Sequence, residues 1–130
     1  MQAKKNIKVK QKTWIGELIE YYKVIDGGWL QERNPKMLQD DYVKFIRFAQ
    51  WKIDKSGEGA LGLITNRNYL ENITFPGMRE SILLSFDEIF ILDLHGDLLK
   101  RETLDDGTRD ENVFDITKGV AIILALWKKH

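Results

Sequence analysis

The chain has 130 residues, 43% of them apolar and 31% charged, which suits one soluble globular domain with its own core and is too short for two. Twenty lysines and arginines balance twenty aspartates and glutamates, so no overall field draws in nucleic acid, and contact with DNA needs a local patch or further polypeptide. With no cysteine, disulfides, thiolate metal sites and cysteine nucleophiles are excluded, and the two histidines, His95 and His130, form no zinc cluster.

The opening "MQAKKNIKVKQK" is basic, but no apolar stretch follows it, so it does not read as a secretory leader. No segment has the apolar length of a membrane span, and a cytoplasmic location is the expectation. "TWIGELIEYYKVI" spaces Trp14, Leu18, Tyr21 or Tyr22, and Ile25 as a short amphipathic helix, and "DGGWLQERNP" breaks it. The clearest helix is predicted from about Leu38 to about Lys55. Its stripe is Leu38, Tyr42, Phe45, Ile46, Ala49 and Ile53, with Asp40 and Asp41 in the first turn, where the helix dipole favours them. Phe48 and Trp51 lie off that stripe and predict a second contact surface for the helix.

In "SGEGALGLITNRNYL", Gly57 and Gly59 end the helix and Ala60 to Thr65 forms a buried strand. Asn66, Arg67 and Asn68 then crowd the carboxyl end of that strand. "TFPGMRESILLSF" predicts a helix with Thr74 as its N-cap and a proline in its first turn. "DEIFILDLHGD" gives a second strand, apolar from Ile89 to Leu94, and a polar stretch from Asp97 to Asn112 follows. Val120 to Trp127 is an unbroken apolar run, predicted as a strand buried on both faces.

A strand–helix–strand unit implies two parallel strands joined by a right-handed crossover. The last two strands have no helix between them and are expected to pair antiparallel. The most apolar strand belongs in the middle, so the spatial order is first, third, second, with a bare edge on the first. The fold class is α/β, with about three strands and flanking helices, and it looks like half of a larger sheet.

That layout resembles the C-terminal half of the Rossmann-like fold of S-adenosylmethionine-dependent DNA methyltransferases. "NPKMLQDDYVKFIRFAQWKI", "GLITNRNYL", "FPGMRES", "SFDEIFILDLHGD" and "DENVFDITKGVAI", in that order, resemble the adenine-specific methyltransferase domain of large single-chain, type ISP-like restriction–modification enzymes. The resemblance covers nearly the whole chain from about Trp14. It implies that the chain is one domain, residues 1–130, forming the C-terminal part of a methylase catalytic domain whose cofactor-binding half is absent. Phe114 falls where this class places an aromatic that stacks on the flipped-out target base, and Asn66 and Asn68 fall on the pocket side of the active site. DNA is then the partner and S-adenosylmethionine the cofactor of the intact enzyme.

The family's glycine-rich cofactor turn and its Asn/Asp-Pro-Pro-Tyr motif do not occur here. "NPKM" at Asn34 lacks the second proline and the aromatic, and it precedes a helix, so it is rejected as the catalytic motif. The fragment itself is expected to bind no cofactor and to be inactive alone, with no catalytic residue and no metal ligand among its own.

Each site residue also has a plainer role. From the residues alone Phe114 reads as a core aromatic at a strand entrance, the stacking role coming from the resemblance, and Asn66 and Asn68 read as turn formers after a strand. Arg67 is a candidate DNA contact or a solvated surface arginine. His95 ends a strand beside a glycine, where a structural role suits it better than that of a general base. The alternative function is a non-catalytic α/β remnant that binds DNA weakly or self-associates, through its exposed strand edge or the Phe48 and Trp51 face.

Overall fold

The computed structural model describes residues 13–31, 35–95 and 119–128. Thr13 caps the first helix, α1 (Trp14–Ile19), its hydroxyl accepting the Gly16 N–H at 3.2 Å. The α-helix then tightens into a 3-10 turn over Glu20–Lys23. Ile25, expected on the helix, instead belongs to a small hairpin of β1 (Val24–Ile25) and β2 (Gly28–Trp29). The reason is local: Asp26 and Gly27 take φ of 49° and 75°, the paired left-handed turn that matches strand twist.

The long helix divides at its start. Leu38 sits in a 3-10 turn, Lys36–Gln39, Asp40 is extended, and α2 runs Asp41–Ser56. Its buried face is Val43, Ile46, Arg47, Gln50 and Ile53, so the stripe is rotated from the one expected, and Phe45 faces solvent. Two polar residues disguise the true face in the sequence. Gln50 reaches the core because Tyr22 donates to its Oε1 at 2.8 Å, while its amide donates to the Ser81 and Ser85 hydroxyls at 2.9 and 2.7 Å. Arg47 donates to the Leu18 carbonyl at 2.9 Å and lies 4.9 Å from the Tyr21 ring centroid. Phe48 and Trp51 do find their second contact. Trp14 of α1 meets them edge-on at 6.2 and 4.8 Å.

Gly57 ends α2 in the left-handed conformation, φ 79°, as its position after the helix predicts. Strand β3 (Gly59–Asn66) leads to α3 (Pro76–Ser85), β4 (Glu88–His95) follows, and β5 is Val120–Trp127. Thr74 is not the cap of α3. Phe75 holds that position without a side-chain cap, Pro76 opens the first turn, and the Thr74 N–H goes to the Asn72 side chain at 2.9 Å.

The three long strands lie in the order β3-β5-β4, with β5 antiparallel to both neighbours. β3 and β4 are thus parallel to each other and separated by β5, as the sequence predicts. The inner face of the sheet, with Leu61, Ile123 and Ala125, packs on Val43, Ile46 and Ile53 of α2 and Met78 and Ile82 of α3. The expectation of two-sided burial for β5 is corrected. Leu124 is 51% exposed, because the helices α2 and α3 cover one face of the sheet only. No helix among the described residues is long and apolar enough to cross a membrane. The fold is mixed α/β, as expected, and consistent with part of a methyltransferase-like domain.

Candidate functional site

Open α/β sheets hold ligands beyond the carboxyl ends of their parallel strands. Here those ends are Asn66 of β3 and His95 of β4, on either side of the start of β5 at Val120. Asn66 is the last residue of β3, and its Oδ1 accepts the Asn68 N–H at 2.9 Å. This asparagine turn redirects the chain into the 3-10 turn Asn68–Leu70. The plainer role left open for Asn66 is therefore built into the loop.

Arg67 is no solvated surface residue. It is 4% exposed, and its Nε and Nη2 fork onto the Asp93 carboxylate at 2.9 and 2.8 Å. Its Nη1 reaches Glu71 at 3.0 Å, and its backbone N–H donates to the Gly119 carbonyl at 3.0 Å. One residue thereby ties the end of β3 to the end of β4 and to the approach to β5. The bidentate arrangement is the geometry in which arginine and carboxylate bind best. Hydrogen bonds from Arg67 hold the Asp93 carboxyl below the ordinary carboxylate range, against the upward push of burial. The reciprocal bond to Asp93 raises the Arg67 guanidinium further above an already high value. A guanidinium committed in this way is a brace within the fold and is not presented for a phosphate.

The loop after Arg67 is fixed from below as well. Tyr69 is buried, accepts the Thr65 hydroxyl at 3.2 Å, and lies 5.9 Å from the Tyr42 ring. Arg79 of α3 donates to the carbonyls of Tyr69 and Asn72, each at 3.0 Å. Burial pushes both tyrosine phenols up from their ordinary value, so neither is a ready proton donor near neutral pH. His95 closes β4 in the left-handed conformation, φ 55°, at an irregularity in the register. Its N–H donates to Asp93 at 3.0 Å and its Nδ1 lies 3.7 Å from the same carboxylate. Among the described residues, no group of three histidines or carboxylates is placed to hold a metal ion.

Asn66, Arg67 and Asn68 thus stand together at the ligand end of the sheet. Phe114 lies outside the described residues, as do Asn34 and the polar stretch that begins at Asp97. The residues missed in the sequence are Asp93, Tyr69 and Arg79. Asp93 had a signal: it lies near the end of the strand parallel to β3, and the crossover brings those two ends to one side. The described loop does not fit a bound S-adenosylmethionine. It has no glycine-rich turn, the Asn66 side-chain Oδ1 accepts within the turn, and the Arg67 guanidinium is held by carboxylates.

No protein-family model matches the chain, and no curated protein is similar to it. Solved structures are. A DrdV–DNA complex matches 90% of this chain at 26% identity and a TM-score of 0.72. The ATP-dependent type ISP restriction–modification enzyme LlaBIII, bound to DNA, matches 92% at 29% identity and 0.69. A nuclease-deletion mutant of the type ISP enzyme LlaGI, with a DNA substrate mimic, matches 89% at 20% identity and 0.71, a likeness of fold alone. The chain spans only 11%, 8% and 11% of those three proteins. What it shares is one α/β segment of restriction–modification enzymes that bind DNA.

Proposed function

We infer that the chain is the target-base side of a DNA adenine methyltransferase belonging to a restriction–modification enzyme. The observation that carries this reading is the match of about nine-tenths of the chain to one segment of such enzymes in complex with DNA. The inserted antiparallel strand β5 and the braced loop at the carboxyl end of β3 support it. In this reading Phe114 stacks on an adenine drawn out of the duplex, replacing part of the stacking that the base gives up, about 1–3 kcal/mol. Asn66 and Asn68 shape the pocket wall. Arg67 holds that wall in place from behind. The methyl donor and the residues that orient the adenine amine come from polypeptide that this chain does not contain.

Two measurements test the reading. Calorimetry with S-adenosylmethionine should give no binding heat with this chain, and tight binding would overturn the view that the cofactor half lies elsewhere. The chain should also replace the matching segment of LlaBIII and support methylation there. In that chimaera Phe114→Ala is expected to lower adenine methylation about 10–100-fold, with Phe114→Tyr restoring most of it, since the loss is one of stacking. A chimaera that methylates equally well with alanine at this position rules out the stacking role.

A further inference from the structure

Two arginines of opposite character hold the loop that carries Asn66 and Asn68. Arg67 grips its start and is matched by the carboxylates of Asp93 and Glu71. Arg79 reaches the loop from the start of α3 and has no carboxylate partner among the described residues. A single nitrogen makes the contact. Nη1 donates to the Tyr69 carbonyl and to the Asn72 carbonyl, each at 3.0 Å.

Those two carbonyls lie where the loop turns. The Leu70 N–H returns to the Arg67 carbonyl at 3.0 Å, and the Asn72 N–H returns to the Asn68 carbonyl at 3.2 Å. The Tyr69 carbonyl belongs to a buried residue and receives no backbone N–H, so Arg79 is its partner.

We propose that Arg79 is a positioning residue for the target base. By holding the Tyr69 and Asn72 carbonyls it fixes the turn that presents Asn66 and Asn68 before DNA binds. This rests on the methyltransferase reading above and adds to it a residue that acts through the loop.

The surroundings point to placement as the reason for a charge here. Arg79 borders an apolar recess lined by Leu70, Ile82, Leu83, Ile89 and Ile123. Burial draws its guanidinium below the ordinary value, whereas the bond to Asp93 raises that of Arg67. A charge in apolar surroundings without a counter-charge costs free energy, and an apolar side chain would fill the recess more cheaply. What the guanidinium adds is a donor fixed on two carbonyls.

The helix that carries this donor is itself firmly seated. Gly77, two residues before Arg79, lies close against the Tyr22 and Val24 carbonyls. At its other end the loop is tied to β4 through Arg67 and Asp93. The wall is thus pinned from a helix and from a strand, and a preformed wall spares DNA binding the cost of ordering it.

Arg79→Met and Arg79→Lys test this, in the full chain and in the LlaBIII chimaera. Methionine removes the donors, and lysine keeps a nitrogen that can serve both carbonyls. In the chain, amide exchange at Leu70 and Asn72 should quicken about 10-fold or more with methionine, while β5 amides stay unchanged. In the chimaera, Arg79→Met should lower kcat/KM for DNA about 10–100-fold, mainly by raising KM, with cofactor affinity unchanged. Arg79→Lys should restore most of it. A merely structural role would leave fewer active molecules, lowering kcat at constant KM. The proposal is overturned by unchanged exchange at Leu70 and Asn72, by β5 amides that quicken equally, or by an unchanged KM. A chimaera inactive with arginine in place overturns the methyltransferase reading, and the proposal falls with it. A chimaera equally active with arginine and with methionine overturns the proposal alone.

Discussion

Arg67 and Asp93 stand 26 residues apart in sequence and share a two-bond fork at 2.8 and 2.9 Å, with the arginine almost wholly buried. Removing one partner of such a pair leaves the other charge buried and poorly compensated. Asp93→Asn is therefore expected to destabilise the chain by about 2–3 kcal/mol, read from its urea midpoint. The same pair sets a dependence on pH. The Asp93 carboxyl is held below its ordinary range in the fold and returns to that range on unfolding. Its contribution is complete above the unfolded value, near 4, and is lost as pH falls through the lower folded value. Between pH 5 and pH 2 the wild-type midpoint should drop more steeply than that of Asp93→Asn. Parallel curves would show that the fork contributes nothing.

Among the elements, α3 rests on the closest backbone approach. A Cβ at Gly77 would lie 2.6 Å from the Val24 carbonyl oxygen and closer still to that of Tyr22. Both are backbone atoms and cannot swing aside. Gly77→Ala, a substitution that ordinarily favours a helix, should instead cost several kcal/mol by driving α3 away from β1 and the turn before it. Thermal denaturation of Gly77→Ala checks this, and an unchanged midpoint would contradict the packing. This contact also shows where the sequence is opaque. "FPGM" displays a proline and a glycine at a helix start, but nothing local reveals which backbone the glycine touches 53 residues earlier in the chain at Val24. Helix α2 is a related case. Its length and its left-handed Gly57 end were legible, while its face was misjudged by about one position because Arg47 and Gln50 are buried by partners on α1 and α3. Tertiary hydrogen bonds overrode the apolar pattern there.

Across the whole molecule, the order β3-β5-β4 was legible because hydropathy ranks the strands. Eight apolar residues in succession, Val120 to Trp127, belong between two neighbours. What that pattern did not reveal was that the helices cover a single face of the sheet. Hydrogen exchange should follow the topology. Amides of β5, paired on both sides, are expected to exchange most slowly, while those β3 amides that point away from β5 exchange quickly. The aromatic contact between α1 and α2 has an optical consequence. With ring centroids 4.8 Å apart and planes at 86°, Trp14 and Trp51 form a coupled pair of chromophores that belong to different helices. Near-ultraviolet dichroism of this pair, absent in Trp14→Phe, will therefore report the undocking of the first helix separately from the melting of the sheet.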